Sequence, residues 1–98
     1  MRGFVYVVHY FSPEGSRRFP EMFREHQQRA ARYAGFVALH HLKPMQPIRS
    51  DGTFTLLEFA DEQLLLKWRA SEDHKWVAAQ YRTHWTRDPD VLLFTSDQ

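Results

Sequence analysis

The chain contains no cysteine, and only four glycines and five prolines punctuate its 98 residues. Without cysteine there is no disulfide framework, no thiolate nucleophile and no thiolate metal site, and the redox compartment stays undetermined. Long hydrophobic runs are missing too. The apolar stretch near the N-terminus is too short to cross a bilayer and precedes no small-residue cleavage site, which leaves a cytoplasmic location by default and no membrane partner. Charge of one sign is also lacking: 13 Lys and Arg against 12 Asp and Glu leave a net +1. Nucleic acid requires a dense basic face, so it is not an expected partner. No Gly-rich phosphate loop and no G-x-S-x-G elbow occurs, and length and pattern exclude a dinucleotide-binding fold. Six histidines are present, but none at H-x3-H or H-E-x2-H spacing. His40 and His41 place their rings on opposite faces of a strand, so no metal site is expected.

What the chain does have is aromatic side chains, 15% of all residues. That surplus suits a large interface or an apolar ligand cavity. The length is that of a single domain, residues 1–98, able to bury a modest core.

The chain is organised around Phe59 to His74. Thr53–Phe59 has the aromatic and β-branched content of a strand. Asp61 then reads as a helix N-cap, with Leu64, Leu65 and Trp68 following at helical spacing. Ser71-Glu72-Asp73 reads as a second cap with an acidic first turn. Beyond it His74, Val77, Ala78, Tyr81 and Trp85 share one helical face, and Trp76 lies roughly opposite. Upstream, Phe4–Phe11 is a strand apolar on both faces. Ser16 is the expected cap of an amphipathic helix of about five turns whose inner stripe includes Phe19, Met22, Phe23, His26, Ala30 and Tyr33. Pro20 is expected in its first turn and Gly35 as its C-cap. Phe36–Lys43 and Val91–Thr95 complete the strands, and Pro44, Pro47 and Asp51-Gly52 mark a connection and a turn.

The resulting order, β-α-β-β-α-β with the second helix broken, is an α+β, ferredoxin-like split βαβ arrangement with helices on one face of an antiparallel sheet. The other face is apolar and needs cover, which a second copy of the chain would supply.

The pattern F59-x8-W68-x2-S71-x2-H74, with Gly35-Phe36 entering a strand after an amphipathic helix, resembles the small antibiotic biosynthesis monooxygenase family. The resemblance implies a homodimeric α/β barrel and an oxygenase without bound metal or flavin, acting on a small electron-rich aromatic such as a quinol or anthrone. In that chemistry the substrate itself reduces oxygen once deprotonated. Trp68 and His74 match the motif positions. Tyr81 joins them as a catalytic candidate by helical phase. His26, Trp85, Phe23, Arg82 and His9 are the candidate substrate-binding residues. Each also has a structural reading: Trp68 as a core side chain, His74 as a ring near its helix cap, His26 as a satisfied core histidine. Glu58 is a candidate partner for His9 across the sheet, either structural or as a proton relay.

Relatives of the same fold that bind and degrade haem use an Asn on the first strand, a Trp, and a His ten residues later. Here that position is Ala78 and the first strand has no Asn, so the triad is broken. No cofactor is expected, with haem the minor alternative through a shifted His74. A non-catalytic small-ligand-binding dimer stands beside the oxygenase reading.

Overall fold

β1 (Arg2–His9) carries alternating apolar side chains to both faces of a sheet, and the computed structural model, which describes residues 1–97, places it at the centre. It pairs antiparallel with β3 (Thr53–Phe59) on one side and β4 (Asp90–Ser96) on the other. β2 (Phe36–Leu42) pairs antiparallel with β3, giving the order β2-β3-β1-β4. The helices α1 (Pro13–Ala30), α2 (Glu62–Arg69) and α3 (Glu72–Arg82) complete the β-α-β-β-α-α-β chain. The α+β, ferredoxin-like arrangement is therefore the observed fold, with the second helix broken into α2 and α3 as its two caps require. Asp61 accepts from the amides of Gln63 and Leu64 at 2.9 and 3.2 Å, and the Ser71 hydroxyl accepts from the His74 amide at 3.1 Å.

The start of α1 differs from the expectation. Ser12, not Ser16, is its N-cap, accepting from the Gly15 amide at 3.1 Å. Pro13 explains the shift, since its fixed φ and missing amide suit the first helical position. Pro20 consequently lies in the helix interior rather than the first turn, where it removes one i→i−4 bond. Gly15 is buried against α3's exit, and a Cβ there would come within 2.5 Å of His84 Cβ. The helix ends at Ala30 with Ala31 as its cap. Gly35 is not that cap: at φ +87° it turns the chain into β2, and its carbonyl accepts from the Ala60 amide at 2.7 Å. β1 is also shorter at its end than Phe4–Phe11. After His9 the chain leaves the ladder, and Phe11 returns as a single antiparallel bridge to Trp85.

The core lies between the sheet and the helices. Val5, Leu39, Leu57 and Phe59 from the strands meet Phe19, Ala30, Leu65, Trp68, Val77 and Tyr81. Trp68 and Phe59 are fully buried. Arg29 joins α1 to α3, its Nη1 donating to Asp73 at 2.6 Å while Tyr33 donates to the same carboxylate at 3.0 Å. Its guanidinium also lies 3.8 Å over the Trp76 ring, which accounts for an indole left 40% exposed on the outer side of α3.

Among the described residues no helix covers the opposite face of the sheet. Phe4, Tyr6, Phe54, Leu56, Leu92 and Phe94 share it by register, with Tyr6 stacked on Phe54 at 6.5 Å. Leu92 and Phe94 are 51% and 53% exposed, so the edge strand β4 presents bare apolar surface. Among the described residues no helix is long and apolar enough to cross a membrane.

Candidate active site

Strand alternation sends His9, Val7 and Val5 of β1 to the same face as Thr55 and Leu57 of β3, Leu39 of β2 and Val91 of β4. Above this floor a cavity of about 180 Å³ is closed by Trp68 and Arg69 of α2, His74, Val77, Ala78 and Tyr81 of α3, His26 of α1, and Trp85 and Pro89 beyond α3. An apolar cavity of about 150 Å³ holds a benzene ring, so this one is on the scale of a small aromatic ligand.

The wall is a continuous file of rings. His74 meets the edge of Trp68 at 5.6 Å, Trp68 stacks on His26 at 6.0 Å, His26 meets Tyr81 at 5.5 Å, and Tyr81 tilts against His9 at 4.6 Å. His26 Nδ1 and the Tyr81 hydroxyl are hydrogen-bonded at 3.0 Å. At the far end the Trp85 indole donates to His9 Nδ1 at 3.1 Å. The Trp68 indole nitrogen is, among the described residues, the buried side-chain polar atom with no partner.

Burial dominates the electrostatics. It lowers the His9 pKa to about 4. It lowers that of His26 to about 3, with smaller contributions from His74 and His9. His74 is also held below its ordinary value, first by burial and then by the Arg69 guanidinium. Burial pushes the Tyr81 phenol up. At neutral pH the cavity therefore presents neutral imidazoles and an un-ionised phenol, with Arg69 as the one charged side chain in its lining.

These values separate the three histidines chemically. A group with a pKa near 3 or 4 holds a proton too weakly to be an effective base at neutral pH. The His74 ring lines the cavity and makes no side-chain hydrogen bond among the described residues, which leaves it available to a ligand.

Of the residues expected at the site, His9, His26, Trp68, His74, Tyr81 and Trp85 come together around the cavity. Phe23 and Arg82 do not. Phe23 packs on Phe19 at 5.4 Å and on His41 at 6.1 Å, further along the sheet, because the α1 stripe is longer than the cavity. Arg82 ends α3 with its side chain exposed. His9 and Glu58 do not meet: His9 stands opposite Thr53, while Glu58 stands opposite Phe4 on the other face and pairs with Arg2. Trp85 lies beyond α3, not on it. Two polar residues join the lining beyond those expected. Arg69 closes α2 directly after Trp68, and Thr55 points a buried hydroxyl to the helix face; the α2–α3 break beside Trp68 was the available signal for the first.

No family model and no curated sequence matches the chain. Among solved structures, SnoaB, a cofactor-independent oxygenase from Streptomyces nogalater, is similar at a TM-score of 0.72 and 21% identity, over 99% of this chain and 93% of that one. An antibiotic biosynthesis monooxygenase is similar over 100% of both chains, at a TM-score of 0.75 and 17% identity. The chain has the fold of the antibiotic biosynthesis monooxygenases. A dimeric ferredoxin-like protein of unknown function from Jannaschia shares it at a TM-score of 0.82 and 12% identity, over 98% of this chain and 100% of that one. In this monooxygenase fold the cavity sits between the helices and the inner face of the sheet, and the bare outer face lies on the opposite side. Among the described residues no three His, Asp or Glu side chains are grouped to hold a metal ion.

Proposed function

We propose that the protein is a cofactor-independent oxygenase for a small electron-rich aromatic of the quinol or anthrone type. The observation that carries this reading is the cavity of about 180 Å³, walled by Trp68, Tyr81 and Trp85 and holding an unpartnered, neutral His74. His74 takes a proton from the bound ring. Trp68 and Tyr81 hold the ring against the apolar floor, and His26 fixes the Tyr81 hydroxyl. Arg69 stabilises the anion that deprotonation creates. The electron-rich anion then reduces oxygen: one oxygen atom forms the new carbonyl of the product and the other leaves in water with two hydrogens from the substrate. No external reductant is needed, because the substrate supplies both electron pairs.

The cavity volume favours a ligand smaller than haem. Drug-sized ligands take about 300 Å³ or more, and a porphyrin is larger than those. Ala78, in the lining, also leaves no imidazole at the position where the haem-degrading relatives carry one.

We further propose that a second copy of the chain covers the outer face of the sheet through Phe4, Tyr6, Leu92 and Phe94, as the dimeric neighbour of the same fold suggests. A second reading, a ligand-binding dimer without turnover, is favoured by one feature: no residue orients the His74 ring as a dedicated base requires. Labelled oxygen separates the two. The oxygenase reading expects one labelled atom in the product and one in water; a product without label, or no product, contradicts it.

A further inference from the structure

The end of β1 carries a histidine whose proton the fold assigns. Phe11 and Trp85 form a backbone bridge, flanked by Ser12 N–H to His84 O and Thr86 N–H to Tyr10 O, both 2.8 Å. This clamp holds the Trp85 indole beside His9, with its Nε1 3.1 Å from His9 Nδ1. An indole N–H only donates, so Nδ1 must be the acceptor, and the imidazole proton resides on Nε2. Protonating Nδ1 would set two donors against each other. The ring cannot turn away, because it is stacked on Phe11 at 5.0 Å and wedged against Tyr81 at 4.6 Å.

Among the described residues the opposite nitrogen has no hydrogen-bond partner. His9 is 96% buried by its 4% exposure, and Nε2 makes no hydrogen bond. Yet among the described residues only Trp68 Nε1 is sealed in without a partner. Nε2 therefore borders open space, and the space His9 borders is the cavity. An N–H donor fixed in direction and facing an apolar ring site has one chemical use: an oxygen on the ligand, above all one bearing negative charge.

We propose that His9 is a tautomer-locked hydrogen-bond donor that holds the oxygen of a phenolate or enolate ligand in the cavity, and that Trp85 is the positioning residue that locks it. The role is that of a neutral electrophile, not of a base or a relay. Its separation from His74 along the ring file divides the labour: His74 and Arg69 at one end, the His9 N–H at the other. The inference rests on the reading that this cavity is the ligand site.

The test uses the full chain, nitrogen-15 histidine spectra and 4-nitrophenol, whose anion is followed by its absorbance. The His9 spectrum of the wild type at pH 7 should show Nε2–H and a bare Nδ1, and Trp85→Phe should shift it towards a mixture of tautomers. The wild type should bind the phenolate in preference to the phenol. His9→Phe should weaken phenolate binding by about tenfold to a hundredfold, the loss of one hydrogen bond to a charged group. His9→Gln should restore most of it, since a carboxamide can accept from Trp85 and donate to the ligand. A wild-type Nδ1–H signal, a wild type that binds no phenolate, or equal binding by the wild type and His9→Phe would overturn the inference. So would a His9→Gln variant as weak as His9→Phe. Absence of oxygen uptake with every quinol would sink the oxygenase reading while leaving these results standing.

Discussion

The Tyr81 hydroxyl and Nδ1 of His26 are hydrogen-bonded at 3.0 Å across the space between α3 and α1, although 55 residues separate them in the chain. The pair ties two helices together inside an aromatic wall, around a histidine whose pKa burial has pushed to about 3.

Acid should therefore weaken the fold early. His26 and His9 fall from 6.5 to about 3 and about 4 on folding. In that window the unfolded chain binds more protons than the native one, so stability is fully present above pH 6.5 and is lost as pH falls through it. The slope is up to about 1.4 kcal/mol per pH unit for each histidine. Urea titrations between pH 7.5 and 4.5 should show this loss, and His26→Phe should flatten it. An unchanged slope would mean that His26 is not buried neutral.

Trp68 fills the core completely but leaves its indole N–H unpaired. Trp68→Ala should cost about 3–5 kcal/mol, the usual cost of deleting a buried aromatic. Trp68→Phe should cost well under half of that, because it removes an unsatisfied donor along with the volume. Equal losses in chemical denaturation would imply that the indole N–H has a partner.

Among the described residues Arg69 makes no ion pair, so its replacement strands no charge there. Arg69→Leu should change stability by less than about 0.5 kcal/mol while weakening binding of an anionic ring such as 4-nitrophenolate by about tenfold. Arg69→Lys should recover part of the loss. Titration of the three proteins with the same ligand checks this.

The outer face makes a prediction about assembly. Phe94→Lys and Leu92→Glu place charge in the bare apolar surface of β4 and should convert a dimer into a monomer in sedimentation equilibrium, with the monomer keeping its secondary structure. A wild type that sediments as a monomer contradicts the proposed second copy.

Much of this molecule was legible in the residues themselves, for a physical reason. Asp61 and Ser71 cap helices through amides two or three positions away, and β3 alternates within seven residues, so local chemistry suffices. Ser16 misled because it ignored Pro13, which starts the helix four residues earlier. Helical phase identified the stripe holding Phe23 and His26 but not how far along it the cavity extends, so Phe23 fell outside. Charge and helical phase point to Arg82, while the cation that lines the cavity is Arg69, where α2 ends. The chemistry of His9 suggests Glu58 as its partner, but strand register puts these two on opposite faces. Its actual partner, Trp85, depends on a bridge formed by residues far apart in the chain, which no local pattern reveals.

The central claim, that His74 in this cavity starts an oxygenation with no added cofactor, is tested most directly by oxygen uptake from a quinol or anthrone in chelator-treated wild type and His74→Ala. The wild type should take up one oxygen per substrate, and the variant should be about 100-fold or more slower, the usual weight of a general base. No uptake above buffer, or equal rates in the two proteins, would contradict it.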